Sequence, residues 1–149
     1  MALRPDQIRR YARHVLLPDI GGVGQARLLG ARVRVALGDP AAEVAAVYLA
    51  AAGIGGLALS DGDRPLDDAA IETGIACIAA DRGRAHAAVV ADRIRALTPD
   101  CAIVDLAEHA LALADEPALP PLPGSAVADA LVRGGAAACA LLHALATTA

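Results

Sequence analysis

Two periods of apolar residues alternate along the chain, one typical of buried strands and one typical of helices. The short runs Val33–Leu37 and Leu57–Ser60 are nearly continuous, and the first predicts a parallel strand buried on both faces. Between them, a cap at Asp39 and an Ala-rich stretch to Ala52 predict a helix of about a dozen residues. Gly53 fits the position after that helix. The order strand, helix, strand predicts one unit of a parallel α/β domain.

Five further elements are predicted on either side of this unit. They are a helix over Arg4–Leu17 that ends at Pro18, a helix over Gln25–Ala31 after a loop containing Gly21, Gly22 and Gly24, a helix over Asp81–Leu97, a strand over Cys101–Leu106, and a helix from Val127 to about Ala146. Ser125 is the expected cap of the last helix. Gly134 and Gly135 would kink that helix or let another helix approach it closely.

The predicted organisation is a single domain in four segments. Residues 1–30 form an N-terminal helical segment, residues 31–107 the α/β core, residues 108–125 a proline-rich linker, and residues 126–149 a C-terminal helix. With 149 residues the chain is long enough for one domain with its own core. The predicted class is α/β, a Rossmann-like three-layer fold with a short, mainly parallel sheet that follows N-terminal helices.

The turn between the first strand and the following helix carries the main functional signal. A phosphate-binding loop needs small residues, so that backbone N–H groups close on the anion at the positive end of the helix dipole. Here Gly38 is followed by Asp39, whose carboxylate would take the place of a phosphate, and by Pro40, which lacks an N–H. We expect the protein itself to cap this helix end. Asp61 and Asp63, which end the second strand, lie where a Rossmann-type site holds ribose hydroxyls.

Composition excludes several classes of function. The net charge of −4 and the presence of only two aromatic residues, both tyrosine, argue against a nucleic-acid partner. Although 56% of residues are hydrophobic, much of this fraction is alanine. The stretch Ala41–Leu59 is about as long as a membrane span, but Glu43 and glycines interrupt it, so no membrane span is expected. The N-terminus lacks the pattern of a signal peptide, which predicts a cytoplasmic protein.

The residues that usually carry covalent or metal chemistry are sparse. Cys77, Cys101 and Cys139 are far apart and form no CxxC pair, so buried thiols are the simpler interpretation and no metal is assigned. All thirteen basic side chains are arginine, which excludes Schiff-base chemistry on lysine.

Several spaced segments resemble one known family. The stretch RYARHVLLPDIGGVGQARLLGARVRV, then AVYLAAAGIG, DGD and finally LTPD, follow the order of the first part of the ThiF, MoeB and HesA proteins, bacterial relatives of ubiquitin-activating enzymes. The resemblance covers about the first hundred residues and implies a Rossmann-like domain. Members of this family bind Mg-ATP and adenylate the C-terminal Gly-Gly carboxylate of a ubiquitin-like sulfur carrier.

The resemblance also implies a degenerate nucleotide site. The family loop, approximately GxGGLG, is in register with residues 37–42 of this chain, where each family glycine is replaced. The family's Asn and Arg fall near Ala69, Glu72 and Thr73, and its phosphate-binding Lys falls at His86. A packed, non-catalytic histidine is the simpler interpretation of His86. After about residue 108 the family's Mg-binding Asp and zinc cysteines have no counterpart, which predicts a truncated sheet, no catalytic residue and no bound cofactor.

Three functional hypotheses follow. The first is a non-catalytic subunit or scaffold that forms a homodimer, or a heterodimer with an intact family member. Arg13, with Arg10 as the second candidate, would then reach the partner's nucleotide, as the family's RYxRH segment does. A solvated helix face is the simpler interpretation of these arginines. The second is a divergent adenylyltransferase that uses ATP and Mg to activate a ubiquitin-like sulfur carrier. The third is a binding module for a ubiquitin-like or other protein.

Overall fold

The computed structural model describes residues 2–105, 111–112 and 124–147. The elements, in chain order, are α1 (Pro5–Arg10), α2 (Ala12–Val15), α3 (Gly21–Gly30), β1 (Arg32–Ala36), α4 (Pro40–Ala52), β2 (Gly56–Ser60), α5 (Asp68–Thr73), a 3-10 turn (Ala79–Asp81), α6 (His86–Leu97), β3 (Ala102–Ile103), β4 (Leu111–Ala112) and α7 (Ala126–Thr147). The strands pair in the order β3-β2-β1-β4, and every pair is parallel. The predicted Rossmann-like α/β class is therefore confirmed.

The register of β1 and β2 brings two predicted site regions to one edge of the sheet. Arg32 pairs with Gly56 and Ala36 with Ser60, so the two strands end side by side. Leu37 N donates a hydrogen bond of 2.8 Å to Ser60 O just beyond the last pair. The turn before α4 and the acidic turn after β2 therefore leave the sheet together, at the edge where ligands bind in open α/β folds.

Helix α4 begins and ends as the sequence predicts. Asp39 is the residue before the helix, and its Oδ1 accepts a 2.7 Å hydrogen bond from Ala41 N. Pro40 occupies the first helical position, where no N–H is required. Gly53 follows the last turn with φ of 94°, a left-handed conformation that glycine adopts without strain.

Burial on β1 differs from the prediction. Val33 and Val35 are fully buried in the main core, together with side chains from α4, α6 and α7. Arg34 and Ala36, which point to the opposite face, are exposed. The prediction that this strand is buried on both faces is therefore wrong for the part of the chain that the structure describes. This alternation of buried and exposed side chains is typical of a strand with one face in the core and the other in solvent.

Helix α7 packs closely along α4. A Cβ on Gly134 would collide with the Ala41 carbonyl and lie 2.7 Å from Val44 Cβ, so the absence of a side chain allows the approach. Ser125 caps α7 as predicted, because its Oγ accepts a 3.2 Å hydrogen bond from Ala128 N.

By length and composition α7 would also be able to cross a membrane. This is weak evidence, since helices that pack in protein cores pass the same criterion.

The predicted helix over Arg4–Leu17 is two short helices. Tyr11 leaves helical geometry with φ of −103° and ψ of 20°, and α1 ends there. Its ring is buried and its hydroxyl donates a 3.2 Å hydrogen bond to Asp100. A tertiary contact thus breaks a segment whose local pattern is helical.

The predicted glycine loop before the next helix is instead the start of α3. Gly21 opens that helix with φ of 58°, and Gly24 lies inside it. A Cβ on Gly24 would lie 3.2 Å from both Ala146 and Ile20. These glycines therefore begin a helix that packs against α7, and the loop prediction is wrong.

Later boundaries also differ from the pattern. The helix predicted from Asp81 begins at His86, because Asp81 turns inward to accept a 3.1 Å hydrogen bond from Ile78 N. The third strand is confined to Ala102–Ile103, and Leu106 lies outside the described residues. Within the predicted linker, Leu111–Ala112 forms β4 beside β1, whereas residues 108–110 and 113–123 lie outside the described part.

Candidate functional site

A cleft of about 280 Å³ lies beside the carboxyl end of β1 and the first turn of α4. Its lining residues come from the α4 turn, the segment after β2, α5 and the start of α6: Gly38, Pro40, Glu43, Arg64, Asp67, Ala69, Ala70, Thr73, Gly74 and His86. The volume lies just below the range of about 300–1,000 Å³ found for small-molecule sites.

The cleft contains only part of the predicted site. Gly38, Pro40 and His86 line it, whereas Asp39, Asp61 and Asp63 do not. Asp61 is exposed, has a left-handed backbone with φ of 57°, and accepts a 3.2 Å hydrogen bond from Ser60 Oγ. Asp63 is exposed as well. Both acids therefore face solvent at the end of β2.

Asp39 occupies the N-terminus of α4. Besides capping Ala41 N, its carboxylate forms an ion pair with Arg133 of α7, with 3.3 Å between Nη2 and Oδ1. Arg133 also binds Asp129, with 2.7 Å between Nε and Oδ2. Ala41 N and the Arg133 guanidinium thus both already contact carboxylates of the protein, and Asp39 caps α4 as predicted.

Glu43 is the most heavily hydrogen-bonded group at the cleft. Its side chain is 1% exposed, and Oε1 accepts hydrogen bonds of 2.6 Å from both Ile75 N and Ala76 N. Its Oε2 lies 2.7 Å from His86 Nε2 and 3.5 Å from Cys77 Sγ. The carboxylate therefore joins α4 to the segment after α5 and to the first residue of α6.

Burial and hydrogen bonding act in opposite directions on Glu43. Burial by itself would raise its pKa, but the hydrogen bonds from His86, Ala76 N and Ile75 N outweigh burial and lower the pKa below its ordinary value. The neighbouring Cys77 thiol shows the opposite result. Burial, the negative charge of Glu43 and the hydrogen bond to it raise the pKa of Cys77 to about 12, which favours the protonated thiol at neutral pH.

His86 is packed as the simpler interpretation predicted. Its side chain is 3% exposed, and its Nε2 contacts Glu43. Its other nitrogen, Nδ1, is buried and has no hydrogen-bond partner among the described residues. The sequence gives one weak signal for this arrangement, namely an acidic residue, Glu43, on the apolar face of α4. The partner is 43 positions away and has no local signature.

The N-terminal arginines differ in their environments. Arg10 Nε lies 3.2 Å from the carboxylate of Asp100, whose side chain is 2% exposed. The same carboxylate accepts hydrogen bonds from Arg4 (2.9 Å), Gln7 (3.0 Å) and Tyr11 (3.2 Å). Burial would raise the pKa of Asp100, but these hydrogen bonds and the Arg10 charge lower it. Arg10 therefore helps to dock α1 within its own chain.

Arg13 has no comparable contact. It lies on α2 and is exposed. Its side chain forms no hydrogen bond or ion pair with the residues that the structure describes. Of the two predicted partner-contact arginines, Arg13 is therefore the one whose guanidinium is available to a second molecule.

No protein-family model matches the chain. Among curated proteins, the chain is 35% identical over 113 residues to the probable adenylyltransferase/sulfurtransferase MoeZ of Mycobacterium tuberculosis, an alignment that covers 76% of this chain and 28% of MoeZ. It is 34% identical over 107 residues to the SAMP-activating enzyme E1 of Haloferax volcanii, covering 69% and 38%. It is 50% identical over 66 residues to the adenylyltransferase and sulfurtransferase MOCS3 of Mus musculus, covering 42% and 14%. The chain thus spans less than two fifths of each of these relatives.

Solved structures give the same fold. Escherichia coli tRNA N6-threonylcarbamoyladenosine dehydratase, TcdA, solved in complex with ATP, superposes with a TM-score of 0.63 at 24% identity, covering 71% of this chain and 42% of TcdA. PaaA superposes with a TM-score of 0.62 at 27% identity, covering 69% and 36%. The α/β architecture of the described residues is therefore that of these proteins.

Proposed function

The chain belongs to the ThiF, MoeB and HesA family, and we propose that it acts as a non-catalytic member, a subunit that pairs with itself or with an active relative. The observation that carries this proposal is the filling of the α4 N-terminus by the Asp39 carboxylate. In family members this end of the helix faces the phosphates of ATP. Here its N–H group at Ala41 is already bound, at 2.7 Å, to a negative charge of the protein.

The charges in the cleft and at the adjacent N-terminus of α4, where Asp39 lies, support the same proposal. A bound triphosphate would lie near Asp39 and beside the buried carboxylate of Glu43, and each like-charge pair about 4 Å apart near a protein surface repels by about 4 kcal/mol. Among the cleft-lining residues, Arg64 is the one arginine that could offset this repulsion. Catalysis of adenylyl transfer depends on positioning and on stabilising negative charge. A cleft lined in this way supplies little of either.

The pairing part of the proposal rests on Arg13. In the family, an arginine of the RYxRH segment reaches the nucleotide of the partner subunit. Arg13 occupies that position, is exposed and makes no side-chain contact with the described residues of its own chain. A chain that binds no nucleotide itself would thereby complete the site of an intact relative.

Nucleotide binding is the first test. We expect Mg-ATP at about 1 mM to leave the melting temperature of the protein unchanged, whereas a ligand at 100 times its Kd would stabilise the native state by about 2.7 kcal/mol. TcdA, which was solved with ATP bound, serves as the positive control. A clear rise in the melting temperature of this protein would contradict the proposal and favour the divergent adenylyltransferase.

The second test measures pairing and the role of Arg13. We expect light scattering to detect a dimer of this chain or a complex with an intact family member. In the mixed complex, Arg13→Ala should lower the partner's rate of adenylation at least tenfold, and Arg9→Ala, which removes an exposed arginine from α1, should leave that rate unchanged. Equal rates for both variants would exclude the role in trans. Binding to a ubiquitin-like protein alone would favour the binding-module hypothesis.

A further inference from the structure

Three residues with metal-binding side chains converge at the wall of the cleft. Glu43 lies on α4, Cys77 in the segment between α5 and the 3-10 turn, and His86 at the start of α6. All three are buried, and one ligand atom from each lies within 4.8 Å of the others. No other group of this kind occurs among the described residues.

We propose that Glu43, Cys77 and His86 bind a single Zn²⁺ ion or a similar divalent transition-metal ion. Carboxylate oxygen, thiolate sulfur and imidazole nitrogen are the three ligand types that zinc takes in proteins. The inference is independent of the proposed function, because these ligands come from the chain's own fold whether or not a nucleotide binds.

The two distances from Glu43 Oε2 fit a tetrahedral ion with a small adjustment. Ligand atoms about 2.0–2.3 Å from a tetrahedral Zn²⁺ stand about 3.3–3.6 Å apart. Cys77 Sγ lies 3.5 Å from Glu43 Oε2, within that range. His86 Nε2 lies 2.7 Å from the same oxygen, which is a hydrogen-bond distance, so the imidazole would move back by about half an ångström when the ion replaces the proton between them.

The surrounding hydrogen bonds orient Glu43 for this role. Its Oε1 accepts hydrogen bonds from Ile75 N and Ala76 N, which fixes the carboxylate and directs Oε2 toward Cys77 and His86. Outer hydrogen bonds of this kind position metal ligands in known sites. Because Glu43 and His86 also line the cleft, water from the cleft can supply the fourth ligand.

Protons and charges balance on binding. The thiol of Cys77 loses its proton to solvent, since a coordinating thiol is deprotonated by the ion. The proton between His86 Nε2 and Glu43 Oε2 moves to Nδ1, so the imidazole stays neutral and binds the ion through Nε2. No described residue donates a hydrogen bond to Nδ1 that would prevent this. One carboxylate and one thiolate then offset the two positive charges of Zn²⁺, which leaves the buried site neutral.

Cobalt spectroscopy of the folded protein is the direct test, because Co²⁺ bound to a thiolate gives a charge-transfer band that Co²⁺ in water lacks. Cys139→Ser serves as the parent protein, since Cys139 is the exposed thiol. After treatment with a chelator, we expect one equivalent of Co²⁺ to produce this band and one equivalent of Zn²⁺ to remove it. Zn²⁺ alone should raise the melting temperature by about 5 °C or more.

Matched variants separate this site from incidental binding. Cys77→Ser in the parent protein should abolish the charge-transfer band, and Cys101→Ser, which removes a second buried thiol, should leave it unchanged. Glu43→Gln should weaken Zn²⁺ binding at least tenfold. Absence of the band in the parent protein, or its persistence in Cys77→Ser, would overturn the proposal. If Cys77→Ser does not fold, the stoichiometry and the band of the parent protein decide the question.

Discussion

The two ends of helix α4 are under different constraints. Beyond its C-terminus, a Cβ on Gly53 would lie 2.6 Å from Gln25 Nε2, and a Cβ on Gly55 would overlap the Leu29 carbonyl. Before its N-terminus, a Cβ on Gly38 would meet no atom within 4 Å. At the C-terminal end of α4, neighbouring atoms leave no room for a side chain at Gly53 or Gly55. At the N-terminal end, no neighbouring atom prevents a side chain at Gly38.

Under the proposed function, this difference accounts for the glycines of the family loop that are replaced in this chain. In the family loop, glycines make room for the phosphates of a nucleotide, and the four corresponding positions here are Leu37, Asp39, Pro40 and Ala42. A glycine that accommodates a ligand is needed only while that ligand binds. A glycine such as Gly55, which accommodates the backbone of its own chain, is needed for folding itself. Substitution of Gly55 tests this distinction, and substitutions of Glu43 and Asp39 test the contacts at the N-terminal end of α4.

The largest effect is expected for Gly55→Ala. The added methyl group would overlap the Leu29 carbonyl, and both residues belong to backbone segments that cannot move without disturbing β2 and α3. We expect the free energy of unfolding to fall by about 4 kcal/mol, measured by urea denaturation. Gly38→Ala is the matched control and should change it by less than about 0.5 kcal/mol. Equal effects of the two substitutions would remove the distinction between the two ends.

Glu43→Ala should have an intermediate effect. It leaves Ile75 N, Ala76 N and the His86 ring without their acceptor in a buried position. We expect a loss of about 2–3 kcal/mol in the free energy of unfolding, because buried donors without partners are costly. Glu72→Ala, which removes an exposed carboxylate, is the control. A loss no larger than that of the control would mean that the hydrogen bonds of Glu43 contribute nothing to stability.

The contribution of Glu43 should also depend on pH. Its pKa in the folded protein is lower than the ordinary value of 4.5, so the unfolded chain takes up a proton more readily than the folded one. The stability that this carboxylate contributes is therefore complete above about pH 4.5 and is lost as the pH falls through the folded pKa. The difference in unfolding free energy between the natural protein and Glu43→Gln should shrink from pH 7 to pH 3. A constant difference would contradict this assignment.

The smallest effect is expected at Asp39. Asp39→Ala removes the cap of α4 and the partner of Arg133, and should lower the free energy of unfolding by about 1 kcal/mol. Asp39→Asn keeps a side-chain oxygen for Ala41 N and should lose about half as much. Thermal denaturation of both variants measures the difference. If Asp39→Ala were as stable as the natural protein, the cap would not account for the carboxylate at this position.

Local sequence signals account for the central part of the fold. The bounds of α4 and its flanking strands were predicted closely because Asp39, Pro40 and Gly53 act on the residues next to them. Elements that depend on distant contacts were predicted poorly. The helix break at Tyr11 follows from a hydrogen bond to Asp100, 89 positions away, and the two-residue strand β4 is too short to have a pattern.

The candidate site divides in the same way. The capping of α4 by Asp39 was predictable because a carboxylate directly before a helix acts on the nearest N–H groups. The contact of Glu43 with Cys77 and His86 was not, because these residues are 34 and 43 positions away from Glu43.

The sequence by itself determined the family, the parallel α/β unit and the carboxylate at the α4 N-terminus, since these depend on hydrophobic periodicity and on neighbours within one turn. Only the tertiary structure decided that Glu43 is buried against His86 and that one face of β1 is exposed to solvent. It also decided that Arg10 binds Asp100 whereas Arg13 is exposed. The physical reason is that burial and long-range hydrogen bonds depend on which segments pack together. Packing is a property of the whole chain and not of any short stretch of it.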